Sequence, residues 1–469
     1  MNIFECTDKG NAERFQAYWG NHVRFVDEQR QWVIHSNSGW RHAQRFRLSG
    51  PVVRNIGREA AQCKDTETRK ALLVHAKSSE STTAQRSMMA QAQDHMNISL
   101  MEFDTNPYVI NCKNCILDLR TKGCSSHSPD QFHLKKANVS YDPKAECPRW
   151  TKVIAEIFDN DQSLIDYMQT MLGYSMMGLT REHVFFLCYG TGRNGKSLIL
   201  ETVGHVLGSY AKLSMDFETF LDKDKNSVRT KEAIGNLKGM RFAVASETSN
   251  SARLNPALIK KVTGGDTLEG SKMYGSSFEF KPTHKIWFAC NHLPANMDAS
   301  PAMTERVKVV PFKRNFLEDD KQTEKELKEF LIESEGPGIF NWLVEGAYRY
   351  NQSGRPKAPD AIRIATDDYL DTFDRMRVFI RDHLEKDRTS DTLAKEAYRS
   401  YQKWCADNNE NEVSDRQFPT KLNERGVRCE KKPPGQTLIG WKLKSLVEAA
   451  TLHPAYRSML DGTLRTNIN

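Results

Sequence analysis

Eight consecutive residues limit the fold of this chain more than any other feature. Gly190-Thr191-Gly192-Arg193-Asn194-Gly195-Lys196-Ser197 fits the pattern G-x4-G-K-[ST] at every position. The apolar run His183-Val-Phe-Phe-Leu-Cys-Tyr189 precedes the octapeptide, and an apolar helical stretch from Leu198 to Leu207 follows it. It therefore reads as a loop joining a strand to a helix. Glycines let backbone N–H groups converge on a phosphate chain without Cβ obstruction, and the following helix turns its positive end toward the anion. Lys196 is placed to neutralise the β- and γ-phosphates, and the Ser197 hydroxyl to hold Mg²⁺. The expectation is ATP with Mg²⁺, cradled by Gly190–Ser197.

Three further apolar runs follow: Arg241-Phe-Ala-Val-Ala-Ser246, Lys285-Ile-Trp-Phe-Ala-Cys290 and Val307-Lys-Val-Val-Pro-Phe312. Short apolar strands alternating with helical stretches imply a largely parallel sheet in an α/β layer fold. The first of the three runs ends in Glu247. At the carboxyl end of a parallel strand an acid faces the ligand crevice, so Glu247 is a candidate to hold Mg²⁺ or polarise the attacking water; the bland alternative is an exposed strand-end glutamate. The next run ends at Asn291, a neutral amide suited to orienting water beside a γ-phosphate, though Asn is also a routine strand terminator. Arg306, just before the last run, is either a surface arginine or a finger reaching a neighbouring subunit's nucleotide.

A length of 469 residues suggests about three domains. The net charge of +7, from 67 basic against 60 acidic residues, is too small for a histone-like protein but suits one that touches nucleic acid in places. No apolar run approaches the roughly 18–20 residues that span a bilayer, and Met1–Cys6 lacks the regions of a secretory signal, so a cytoplasmic protein with no membrane partner is expected. Ten cysteines in so long a chain do not make a disulfide framework. Cys188 and Cys290 read as small buried hydrophobes. Cys112-x2-Cys115-x8-Cys124-x2-His127 carries zinc-ligand types in close pairs; the same residues also read as a turn entering the strand Ile116-Leu-Asp-Leu119.

Residues 378–444 read as helix, helix, helix and hairpin, the pattern of a winged helix. Ala394–Trp404 is helical, Asp415 caps a helix from Arg416 through Leu422, and Gly426 ends it. Lys431-Lys-Pro-Pro-Gly435 is a turn and Thr437–Leu443 a strand. Residues 416–444 hold eight Lys/Arg against two Glu. That concentration favours a phosphate-contacting face that includes Arg416, Lys421, Arg425, Lys431 and Lys432; a protein-docking face is the alternative.

The order of these elements resembles the superfamily 3 helicases, more closely the helicase part of phage and plasmid primase–helicases and of poxvirus helicase–primases. The resemblance is carried by Asn106-Pro107-Tyr108, Asn114–Leu119, Tyr141-Asp142-Pro143 and Cys147–Trp150 before the loop. After it come Leu254–Asp266, Tyr274, Phe278–Lys285 and Asn291-His292-Leu293-Pro294. By resemblance, Gly190–Ser197 is motif A, Glu247 belongs to motif B and Asn291 is the sensor of motif C. Lys260, Lys261 and the Gly264–Tyr274 segment make the motif between B and C, whose hairpin carries a DNA-gripping lysine; Lys272 is the candidate. Relatives usually have a basic pair where Ser271-Lys272 stands, and tandem arginines where Glu305-Arg306 stands, so the finger role falls on Arg306 alone.

The resemblance implies a P-loop, AAA+-like superfamily 3 ATPase with an α+β N-terminal region and a C-terminal winged helix. Its parts are a collar or docking region 1–144, a helical linker 145–180, the ATPase core 181–316, a helical lid 317–371, the winged helix 372–446 and a tail 447–469. The implied function is an ATP-dependent DNA helicase of phage or plasmid replication. It would be a ring, as a hexamer, moving 3′ to 5′ on single-stranded or forked DNA, with a primase or polymerase partner. The sequence offers no clustered acidic metal site for polymerisation, so no primase activity is expected of it. The alternatives are an origin-binding initiator whose ATPase drives assembly and melting, and a small-molecule P-loop kinase.

Overall fold

A computed structural model describes residues 4–221, 228–246, 253–271, 277–294, 300–316 and 324–444. The first hundred residues form helix α1 (Asp8–Trp19), strands β1 (Val23–Val26), β2 (Gln31–Ser36) and β3 (Gly39–Ala43), helices α2 (Arg45–Gln62), α3 (Thr66–Ser79) and α4 (Thr82–Met96), and the short strand β4 (Asn97–Ile98). The sheet order is β3-β2-β1-β4. Side chains alternate along β2, and both faces are covered. Trp32 packs with Phe15, Val52 and Met88, while its neighbour Val33 packs with Trp40, Ile98 and Phe103 on the other side.

Strands β5 (Val109–Asn111), β6 (Ile116–Asp118) and β7 (Gly123–Ser125) form an antiparallel sheet. Helices α5 (Pro148–Ile157) and α6 (Gln162–Tyr174) follow. Ile110, Leu117, Leu119, Ala137 and Val139 share one hydrophobic core with α5, α6 and the residues flanking the phosphate loop. Most apolar side chains of residues 109–147 are thus buried against the helices of the middle of the chain, while Phe132 and Leu134 pack against the core of the N-terminal sheet.

The central sheet contains β8 (Phe185–Tyr189), β9 (Ala211–Asp216), β10 (Phe242–Ser246), β13 (Lys285–Cys290) and β14 (Val307–Pro311). All are parallel, in the order β14-β8-β13-β10-β9. Helix α7 (Lys196–Leu207) follows β8, and α8 (Val228–Gly235) precedes β10. Helix α9 (Pro256–Thr263) leads into a hairpin of β11 (Leu268–Ser271) and β12 (Ser277–Phe280), and the short α10 (Pro301–Thr304) leads into β14. Strand β9 was not legible in sequence. It lies at the sheet edge, mostly half-exposed, so it lacks the continuous apolar run of the strands buried on both faces. At the amino end of the sheet, the buried side chains of Arg241 and Lys285 hold the turn after α6. Arg241 donates to Met176 O (2.9 Å) and Asn106 O (3.2 Å), and Lys285 to the carbonyls of Met177 and Leu179.

The long helix α11 (Glu324–Ser353) packs on α5, α6 and α7, and α12 (Asp360–Asp371) covers β14. The last unit runs α13 (Arg375–His383), β15 (Leu384–Leu393), α14 (Ala394–Asp407), α15 (Phe418–Asn423), β16 (Cys429–Lys432) and β17 (Gly435–Leu443). Its antiparallel sheet has the order β15-β17-β16 around a core of Phe379, Tyr401, Trp404, Phe418 and Leu422. The polar β15 was not foreseen; only backbone pairing with β17 identifies it. Helix α15 begins at Phe418, not Arg416, with Pro419 in its first turn, where a missing N–H costs nothing. Among the described residues no helix is long and apolar enough to cross a membrane.

Candidate functional site

The phosphate loop leaves the carboxyl end of β8 and closes at Gly195, which stands at φ +82° just before α7. Gly190 N donates to Cys290 O (3.2 Å), tying the loop's first residue to the end of β13. Two glycines are required by their surroundings. A Cβ on Gly190 would lie 2.1 Å from Asn194 Nδ2 and 2.5 Å from Phe312 O, and one on Gly195 would lie 2.3 Å from Ile157 Cδ1. The loop is thus clamped between the end of α5 and the segment after β14. Asn194 Nδ2 donates to Phe312 O (3.3 Å), and Phe316 N to Arg193 O (2.8 Å).

Lys196 is 5% exposed, and its ammonium donates to Gly190 O (2.5 Å) and Asn194 Oδ1 (3.0 Å). A cation is therefore held inside the loop by the loop's own oxygens. Ser197 is exposed in the first turn of α7, as are Thr191 and Arg193 in the loop. Backbone that a Cβ would obstruct, a helix N-terminus, an ammonium and a hydroxyl form a donor set that fits a magnesium-bound triphosphate.

The strand order places β13 between β8 and β10. Asn291 is exposed directly after β13, next to the Cys290 carbonyl that anchors the loop. Strand β10 ends at Ser246, in register with Ala289; Glu247 lies outside the described residues. A cavity of about 420 Å³ opens beside the loop. Ile157, Phe158, Leu164, Pro311 and Ala361 supply its apolar lining, and Asp159, Asp161, Lys313 and Arg314 its charged lining. Sequence reasoning passed over these residues, since they come from three distant segments and share no motif.

Arg306 stands at the opposite end of the sheet. Its carbonyl accepts from Phe185 N (3.0 Å), and its guanidinium donates to Ala302 O on α10. Five residues of β8 separate that level from the phosphate loop, about 17 Å at strand rise, so Arg306 cannot touch the loop of the same chain. Lys260 and Lys261 end α9, with Lys260 Nζ bonded to Ser300 Oγ (3.0 Å) and Lys261 exposed. Lys272 lies outside the described residues; the hairpin below it is described as far as the pair Ser271 and Ser277.

In the last unit Arg416 and Lys431 are exposed, while Lys421 pairs with Glu424 (2.9 Å) and Lys432 with Asp391 (3.3 Å). Arg425 departs from the expected outward face. Its side chain is only 14% exposed, and its Nε donates to both carboxylate oxygens of the buried Asp374 (2.9 and 3.1 Å). An inward ion pair, not solvent, explains this arginine. The zinc reading also finds no support. His127 Nε2 lies 2.8 Å from Asn111 Oδ1 and 3.2 Å from Cys112 O, and among the described residues no three ligand-type side chains are placed to hold a metal.

Residues 12–159 match the family described as D5 N terminal like, and residues 188–306 match a family of unknown function, DUF5906. The chain is 29% identical over 235 residues to a protein of Acanthamoeba polyphaga mimivirus named a putative helicase, covering 50% of this chain and 24% of that protein. It is 27% identical over 249 residues to a protein of Frog virus 3 with the same kind of name (50% and 25%). It is 21% identical over 198 residues to one of African swine fever virus named a putative primase (41% and 21%). The aligned part spans about a quarter of these relatives' length. In fold, the chain is similar to the A form apo structure of the NrS-1 C-terminal region, with a TM-score of 0.53 at 11% identity, over 92% of this chain and 99% of that one.

Proposed function

Proceeding from its likeness to viral helicases and primases, we propose that this chain is an ATP-driven DNA motor of replication, a superfamily 3 helicase with an AAA+ core and a C-terminal winged helix. The sequence matches support a primase–helicase family and a replicative role. One observation carries the motor reading. The glycine-clamped Lys196 loop lies at the carboxyl edge of a parallel sheet, and the inserted strand β13 brings Asn291 beside it. A strand between the loop strand and the next acidic strand end gives a polar group a fixed place beside the terminal phosphate, where it can orient water.

In this reading Lys196 exchanges its loop acceptors for phosphate oxygens, and Ser197 and Glu247 hold Mg²⁺. The magnesium supplies charge neutralisation on the triphosphate. The cavity lined by Ile157 and Phe158 takes the nucleoside. Arg306, about 17 Å from its own loop by strand rise, serves the nucleotide of a neighbouring subunit, which requires a ring, as a hexamer. Lys260, Lys261 and the Lys272 hairpin face single-stranded DNA through its phosphates, and Arg416, Lys431 and Lys432 add contacts at a fork. A primase or polymerase partner fits the greater length of the relatives.

The test is ATP hydrolysis with and without single-stranded DNA. Wild type is expected to be DNA-stimulated and Lys196→Ala inactive; DNA-stimulated turnover by Lys196→Ala would refute the site. Unwinding of a forked substrate without origin sequence separates a helicase from an initiator.

A further inference from the structure

Three cysteines of the β5–β6–β7 sheet take no part in that reading. Cys112 and Cys115 bracket the tight turn between β5 and β6, closed by Cys112 N donating to Cys115 O (2.8 Å). Cys124 lies in the middle of β7, and its sulfur is 3.2 Å from that of Cys115. We propose that Cys115 and Cys124 are a dithiol that a peroxide converts to a disulfide, pinning β7 to β6, and that thiol reductants reopen it.

The geometry carries the inference. Closing from 3.2 Å to a bond of about 2.05 Å needs a shift of roughly 1 Å. Strand β7 can supply it, being a three-residue edge strand exposed along its whole length. The turn before it is held at the surface, where Lys122 pairs with Glu345 (2.5 Å) and lies over the Tyr348 ring, and Arg120 lies over the Tyr108 ring. Access is graded: Cys124 is exposed, Cys115 is 7% exposed beneath it, and Cys112 is fully buried behind both. Hydrogen bonds with the Cys112 and Cys124 thiols hold the Cys115 thiol below the ordinary range. Thiolate character at the central sulfur makes it the nucleophile. The fourth residue of the zinc-like spacing, His127, is engaged with Asn111 and Cys112 O, so the cluster is left with sulfur chemistry.

The step balances with one peroxide. The Cys115 thiolate attacks a peroxide oxygen, the O–O bond breaks, and hydroxide leaves and takes a proton to become water. Cys115 is then a sulfenic acid. The Cys124 sulfur attacks that sulfur, the S–O bond breaks, and a second water leaves with the Cys124 proton. Two thiols lose two electrons and the peroxide gains them.

Trypsin cuts after Lys113, Arg120 and Lys122, so Cys115 and Cys124 fall in separate peptides. The full chain treated with hydrogen peroxide and digested without reductant is expected to yield peptides 114–120 and 123–135 as one species, two hydrogens lighter than their sum and split by dithiothreitol. Cys124→Ser should abolish it and leave a dimedone-trapped sulfenic acid on Cys115; Cys112→Ser should still form it. Separate peptides from oxidised wild-type protein, or a Cys112–Cys115 bridge in its place, would overturn the proposal. So would a stoichiometric zinc ion in the purified chain that shields all three thiols from alkylation. The wild-type digest decides the matter even if a variant fails to fold.

Discussion

Gly195→Ala tests how the phosphate loop is held. The new methyl meets Ile157 at 2.3 Å (Cδ1) and 2.7 Å (Cγ1), and Ile157 is itself buried. Two costs follow. A non-glycine residue at φ +82° loses about 1–2 kcal/mol in left-handed backbone, and overpacking adds about 1–3 kcal/mol. Ile157→Ala removes every atom that the methyl would strike, at its own cavity cost of about 2–5 kcal/mol. In the double variant the overpacking disappears while the backbone strain stays. The double-mutant cycle should therefore show a favourable coupling of about 1–3 kcal/mol, above the roughly 0.5 kcal/mol scatter of independent sites. Urea unfolding followed by tryptophan fluorescence measures it. Additive energies would show that the end of α5 does not position the loop.

Three further outcomes are expected. Arg425→Ala should destabilise the last unit by about 3–5 kcal/mol, because it strands the buried Asp374 carboxylate. Lys431→Ala/Lys432→Ala should leave its thermal midpoint nearly unchanged but weaken DNA binding and reduce the salt slope by about two; equal loss of DNA affinity per folded molecule in both variants would contradict the inward pairing. Arg306→Ala and Lys196→Ala, each inactive alone, should regain ATPase activity when mixed, since one supplies intact loops and the other intact arginines; mixtures as dead as their components would remove the shared site. Finally, burial, with Lys285 beside it, pushes His284 down to about 3, against 6.5 when unfolded. The unfolded chain then takes up a proton that the folded one refuses, so His284 contributes its stability fully above pH 6.5. Below that it loses about 1.4 kcal/mol per pH unit as the pH falls toward 3. His284→Leu should flatten this slope in denaturation series between pH 6.5 and 5, and an unchanged slope would exclude His284 as its source.

What could be read from residues alone was local. The glycine spacing of 190–197 and the apolar runs ending at Tyr189, Ser246, Cys290 and Phe312 are properties of short segments, because backbone freedom and the burial of a strand on both faces are written in neighbouring residues. Gly426 ending its helix in the left-handed region is of the same kind. The tertiary structure decided whatever depends on which distant segments meet. It placed β13 between β8 and β10, found a partner for the polar β15, and joined β5 and β6 to the central core. It also brought Ile157 and Lys313 to one cavity and turned Arg425 inward to Asp374. A side chain's charge and shape belong to the sequence; whether it faces solvent, a buried carboxylate or a ligand depends on contacts between residues far apart in the chain, and only the packed fold determines those.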